Sequence, residues 1–426
     1  MKKNISLLFA APALVFFAST TTALAAGFQL IEQNASGLGS AYAGSAAIAE
    51  NASTIFFNPA GMTRLPGVNF SAGAAAIAPS FKFSDEGSVG PGGRPLGADA
   101  GGNAGSIGVL PNMYLSWQLD SRWFAGLGIS APFGLKTEYN NNWVGRYYST
   151  RFSIESVNVN PSIAYKVNDQ LSLGAGINWM YLDADYQRHL ASPLSLAPAD
   201  DINARVKISG DGWGWNLGLL YQATPDTRLG LSYRSRVNLS ATGSTSFGNV
   251  PVPLRSMLSS VDARSTVALP DTATISLTHD LNQQWRILAD VSWTGWSSIP
   301  SFDIDNNPPV PDESVKLKFR DVWRAAMGIH YKVNQRWTLK GGAAWEQSPV
   351  HDSALRPPAL PDSDRISVSI GAQYNFNHST TLDVGYAHLF LRDGSIHNGS
   401  GNNQGTINGI YTANADVVGV QLSHRF

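Results

Sequence analysis

Three neighbours, His351, Asp352 and Ser353, carry the residue types of a nucleophilic relay. Such a relay passes a proton between side chains brought together from separate elements, and three adjacent loop positions cannot face one another that way. The chain has no G-x-x-x-x-G-K-S/T phosphate loop, no G-x-S-x-G elbow and no H-E-x-x-H pair. It also has no Cys, so thiolate catalysis and thiolate metal ligation are excluded, and an oxidising compartment is met without disulfides. Neither an enzyme, a cofactor nor a metal centre is expected. The reactive groups that remain are charges set into apolar segments: Asn178, Arg234, Arg236, Arg286, Asp290, Arg324, His330 and Lys332.

Those segments have a period of two. Leu171, Leu173, Ala175, Ile177, Trp179 and Tyr181 share one face, as do Trp213, Trp215, Leu217, Leu219 and Tyr221, and Trp323, Ala325, Met327, Ile329, Tyr331 and Val333. Alternation of this kind sets one face of a transmembrane β-strand against lipid and the other against a polar lumen. The charged side chains would be costly in hydrocarbon and must point inward. The end of the chain reads the same way, with Val418, Val420, Leu422 and His424 alternating with polar or small residues up to Phe426.

A short unit recurs, an aromatic strand end followed by a tight turn and a new strand, starting at Trp117, Tyr165, Tyr221, His279, Tyr331 and Tyr374. Six hairpins make twelve strands. One more at Val68 to Phe83 and one from about Asn414 to Phe426 bring the count to fourteen. An even count leaves both ends periplasmic, with longer outward links near residues 84–107, 131–150, 188–204, 241–264, 297–315, 347–364 and 391–413. The expected fold is all-β, a fourteen-stranded antiparallel transmembrane barrel over 68–426 in a Gram-negative outer membrane. Lys2 and Lys3, the apolar stretch Ile5 to Ala18 and the small-x-small Ala23, Leu24, Ala25 read as a signal peptide over 1–25. A net charge of −1 argues against a nucleic-acid partner. A mean hydropathy of −0.10 suits a barrel, because half of each strand is polar.

Residues 26–67 do not alternate. Small residues at close spacing together with Phe28, Leu30, Ile31, Ile55, Phe56, Phe57 and Met62 predict a small, largely helical plug packed in a confined space. GFQL at Gly27, SGLG at Ser36, AYAG at Ala41 and Asn58-Pro59-Ala60 resemble the N-terminal hatch of the FadL family of outer-membrane long-chain fatty acid transporters, whose TodX and TbuX relatives serve aromatic hydrocarbons. Further blocks through the mature chain, among them PNMYLSW from Pro111, GWGWNLGLLY from Gly212 and FRDVWRAAMG from Phe319, resemble the family in the same order.

The resemblance implies a hatch gated at Asn58, Pro59 and Ala60 beside a bend in the third strand. The matching wall opening is ISAPFGL, with Ser130, Pro132, Phe133 and Gly134, where Pro removes a ladder donor. It implies a luminal pocket touched by Phe28 and Leu30, and a ligand carboxylate held by Arg188 with Lys316 or Lys318. It also implies a capture groove on the third and fourth outer loops, here Leu190, Leu194, Leu196, Val252, Leu254, Met257 and Leu258.

The physical task fits such a device. Moving an acyl chain through water costs about 0.8 kcal/mol per methylene, so a long chain needs an apolar path and a lateral door. The expected function is passive, gated uptake of long-chain fatty acids. A hydrocarbon channel would need the apolar pocket but no cation, and an adhesin or structural barrel would leave the hatch inert. The partners expected are a lipophilic small molecule, outer-membrane lipid and lipopolysaccharide, with the chain acting as a monomer.

Overall fold

The computed structural model describes residues 27–399 and 404–426. The signal-peptide reading over 1–25 lies outside the described residues. The fourteen barrel strands are β1 (Val68–Asp85), β2 (Gly108–Gln118), β3 (Trp123–Ser130 continued by Gly134–Glu138), β4 (Arg151–Lys166), β5 (Leu171–Leu190) and β6 (Ile202–Gln222). They continue as β7 (Thr227–Arg234 and Val237–Gly248), β8 (Val261–Leu269 and Thr272–Asp280), β9 (Trp285–Thr294 and Ser301–Asn306) and β10 (Glu313–Lys316 and Val322–Lys332). The last four are β11 (Trp337–Glu346), β12 (Arg365–Asn375), β13 (Thr380–Leu391 and Gly394–Asn398) and β14 (Ile407–Arg425). Neighbours pair antiparallel, and β14 returns to β1 from Asn69↔Arg425 to Asp85↔Gly409, so the sheet closes without an edge.

The six tight turns owe their geometry to one side chain each. In five of them an Asx oxygen accepts two backbone N–H groups: Asp120, Asn168, Asn282, Asn334 and Asn377. In the sixth, the Thr224 hydroxyl accepts one, from Thr227 N at 3.0 Å. Aromatic pairs stand beside them at ring distances of 4.6 Å (Trp123 and Tyr165), 4.3 Å (Trp285 and Tyr331) and 4.7 Å (Trp337 and Tyr374), as a membrane interface favours. Leu173, Ile177, Trp213, Trp215, Leu217, Trp323 and Met327 are exposed on the outer wall.

Several expectations are corrected. The outer ends of the strands run further than alternation alone implied: β7 reaches Gly248, β9 resumes at Ser301, and β14 begins at Ile407. Above the lipid both faces of a strand can be polar, so the hydrophobic period fades while the hydrogen-bond ladder continues. Arg236 does not point inward. Asn216 pairs with Arg234 but Asp211 with Ser240, so β7 carries one extra residue, and the bulge turns its upper half over. Arg236 is exposed and pairs with Asp271 at 3.4 Å, while Arg234 stays inside.

Residues 27–67 fill the lumen. Their helical pieces are short, Leu38–Ser40, Thr54–Phe57 and Pro59–Arg64, and the rest is turn and irregular backbone with one β-bridge at Gln29. So little helix leaves many backbone carbonyls without partners, and charged wall residues supply donors. Arg228 donates to Ala47 O and Ile48 O, Arg234 to Phe56 O, Lys340 to Ser36 O at 2.9 Å, and Arg324 to Ala41 O. The luminal charges therefore serve the plug and not only one another. Glu50 of the plug meets Arg286, Lys340 and His330 at 3.2, 3.5 and 3.6 Å. Burial alone would raise its pKa, but Lys340, His330 and Arg286 hold it well below the usual carboxylate range.

Candidate functional site

Asn58 is fully buried and caps the 3-10 turn that follows it, its side-chain oxygen accepting from Ala60 N at 3.0 Å. Its amide donates to Ala46 O at 2.7 Å and to Leu219 O on β6 at 3.0 Å, tying two plug segments to the wall. The approach is possible because β6 has Gly218 there, where a Cβ would lie 1.9 Å from the Asn58 oxygen. Pro59 and Ala60 lie over Gly174 of β5 in the same way. The triplet thus rests against β5 and β6.

The interruption in β3 is occupied by a different part of the plug. Ser130 to Leu135 are buried without a break, so the chain leaves the wall and turns inward over this stretch. Pro132 does not end the strand, because Gly134–Glu138 resume pairing with β4. Pairing of β3 with β2 stops at Met113↔Ile129, and Asn112 beyond it is buried with both side-chain amide atoms unpartnered among the described residues. The break is filled from inside. Leu30 N donates to Pro132 O at 2.8 Å, Gly134 N to Phe28 O at 2.9 Å, and Gln29 bridges Phe133. Gln33 both donates to Ala131 O at 2.9 Å and accepts from Ala131 N at 3.1 Å.

Above this stopper lies a cavity of about 740 Å³ walled by β4 to β10 and the loops over them, within the size range of ligand pockets, roughly 300–1,000 Å³. Phe152, Ile154, Leu182, Val206, Ile208 and Leu239 make it apolar. Phe28 lines it and packs on Trp296 at 4.9 Å and on Phe133 at 5.9 Å. Leu30 does not reach it. That side chain is buried in a separate apolar cluster with Ala131 and Tyr42, on the β1 side of the lumen.

The polar end of the cavity holds Arg188 and Glu313; Lys316 also borders the cavity but is exposed, and three residues on from Glu313 it lies on the other face of the strand. Arg188 Nη2 lies 2.9 Å from Glu313 Oε1, an ion pair too bent to count as a straight hydrogen bond, and Arg188 Nε is buried without a hydrogen-bond partner among the described residues. Lys318 turns away, exposed and with a positive φ of 44°. Leu190 and Leu258 sit at the mouth. Leu194, Leu196, Val252 and Met257 are 58%, 68%, 72% and 61% exposed on the loops outside it, too much apolar surface for purely structural loops, and Leu254 is half-buried.

Sequence reasoning missed four contributors. Glu313 precedes Lys316 by three residues, and its acid was the available signal. Asp362 accepts from Gly27 N at 3.0 Å and from Ser348 Oγ at 2.7 Å, tying the start of the plug to an outer loop. Gln33 had no signal beyond its place in the plug. Trp296 is fully buried against Phe28 with its indole N–H unpartnered among the described residues; a Trp at a strand end reads equally as a membrane anchor.

A family profile described as "Outer membrane protein transport protein (OMPP1/FadL/TodX)" matches residues 16–426. The long-chain fatty acid transport protein of Escherichia coli (strain K12) is 31% identical over 413 residues, 89% of this chain and 91% of that one. Outer membrane protein P1 of Haemophilus influenzae is 28% identical over 399 residues, 86% of each. Among solved structures, a Pseudomonas aeruginosa FadL homologue superposes with a TM-score of 0.87 at 24% identity, covering 94% of this chain and all of that one. The Pseudomonas putida toluene transporter TodX superposes at 0.72 and 18%, with 94% and 100% covered. A closed fourteen-stranded wall, a luminal plug and these likenesses over nearly the whole length agree: the chain belongs to the OMPP1/FadL/TodX family of outer membrane transport proteins.

Proposed function

We propose that the chain is a passive outer-membrane uptake channel for long-chain fatty acids. One observation carries the reading: Phe28 lines the cavity with its ring and fills the break in β3 with its backbone. A ligand that displaces the ring therefore pulls on the stopper. Exposed leucines of the outer loops collect the lipophile, and the cavity takes its chain. Arg188 receives the head group, with Lys316 at the border of the same cavity, since a buried oxygen anion needs a cationic or hydrogen-bonding partner. Release of Gly27 to Gln33 opens the gap between β2 and β3, and the ligand leaves sideways into lipid. The relatives named as long-chain fatty acid transport proteins support this reading. The channel works as a monomer among lipopolysaccharide and lipid, without a cofactor and without a reaction.

A hydrocarbon channel is the second reading, favoured by the ion pair that already neutralises Arg188 and by the structural likeness to a toluene transporter. Arg188→Glu separates the two. Placing a second acid beside Glu313 is expected to abolish oleate uptake and leave uptake of a neutral alkane in place. Unchanged oleate uptake would remove the head-group role from Arg188.

A further inference from the structure

The head-group end of the cavity contains more acid than a carboxylate receptor needs. Arg188 is the half-buried cation there, and Glu313 already stands against it at 2.9 Å. Lys316 borders the cavity but is exposed and, three residues on from Glu313, projects to the other face of the strand, so water screens its charge. The other titratable groups around Glu313 are Tyr186 on β5, which together with Asp312 lines the cavity. On the facing strand Ile304 is its register partner, so Asp303 and Asp305 project to the opposite face. An ionised fatty acid brought to Arg188 would place two carboxylates on one guanidinium, and two carboxylates sharing a site do not both stay ionised. The bent ion pair and the partnerless Nε–H of Arg188 leave room for a different arrangement.

We propose that Glu313 is a specificity-determining residue that makes the cavity take a lipophile's head group in its uncharged, proton-carrying form, as a protonated fatty acid or a long-chain alcohol. The ligand O–H donates to the Glu313 carboxylate, and a ligand oxygen accepts from Arg188 Nε. An ionised fatty acid thus takes one proton from water as it binds, shared between its own carboxylate and Glu313. An alcohol takes none. The inference rests on the proposed fatty-acid reading of this cavity and deepens it.

The test uses the full mature chain in lipid nanodiscs, with radiolabelled oleate and oleyl alcohol as probes from about pH 5.5 to about pH 8.5. The complex holds one proton more than the separated partners, so oleate affinity falls as pH rises, by up to about tenfold per unit. Glu313→Gln should flatten that slope and tighten oleate binding at the alkaline end, while oleyl alcohol shows little slope with either protein. The same oleate slope in wild type and Glu313→Gln overturns the proposal and leaves the fatty-acid reading intact. If wild type binds neither probe, the fatty-acid reading itself fails and the proposal with it. Proton uptake on the wild type alone, by calorimetry in buffers of different ionisation enthalpy, keeps the idea testable if the variant does not insert. A value near one supports it, and zero overturns it.

Discussion

Asn58 and Glu32 illustrate two ways in which single residues set the plug. Asn58 supplies donors to two buried carbonyls and an acceptor to a third group. Asn58→Ala leaves those groups unpartnered, at about 1–3 kcal/mol each, without touching the outer wall. The expected outcome is a barrel that still inserts and resists heat, with plug amides exchanging hydrogen much faster; unchanged exchange would show that Asn58 holds nothing. Glu32 is the opposite case. It is buried with Oε2 unpartnered among the described residues, and burial pushes its pKa up to about 7. A carboxyl raised from 4.5 is tolerated below that value, and its ionisation weakens plug docking progressively as pH climbs towards 7, after which the loss is constant. Glu32→Gln should therefore tighten the plug at pH 8, by on the order of 3 kcal/mol, and change little at pH 4. Hydrogen exchange at the two pH values reads the difference, and an equal effect at both would place the cause elsewhere. The acid was plain in the sequence. Its isolation was not, because partners come from strands hundreds of residues away.

At the scale of elements the stopper and the broken strand behave as a pair. Gln29 and Phe133 lie directly opposite in an antiparallel bridge, a geometry in which two cysteines can join without moving the backbone. The chain has no Cys of its own, so Gln29→Cys with Phe133→Cys yields one defined cross-link. Oxidised, it should stop fatty acid uptake in cells, and reduction should restore it. Uptake indifferent to oxidation would separate this segment from the gate. The turns, by contrast, were readable in advance, since Asp120, Asn168, Asn282, Asn334 and Asn377 act within three residues of themselves. The bulge in β7 was not, because the extra residue appears only when β6 and β7 are laid side by side.

The molecule as a whole is a closed wall around a filled lumen. Arg228, Arg234, Arg324 and Lys340 donate to plug carbonyls, so the charged wall is tied directly to the plug. In a planar bilayer the intact protein is expected to conduct weakly. Deleting residues 27–67 should raise conductance steeply, since the exposed luminal charges would then hydrate an open pore. High conductance from the intact chain would contradict a plugged barrel.

Alternation, turn residues and the small-residue N-terminal stretch by themselves determined the barrel, its strand number, its outer and inner faces except beyond the bulge in β7, and the presence of a plug. These follow from interactions local in sequence or repeated every second residue, which a linear reading can see. Only the tertiary structure decided that Phe28 and not Leu30 meets the cavity, that Lys316 and not Lys318 borders it, and that Glu313 stands against the Arg188 guanidinium. Each of these depends on which strands closure brings opposite one another. A contact between positions 188 and 313 leaves no trace in the periodicity of either segment.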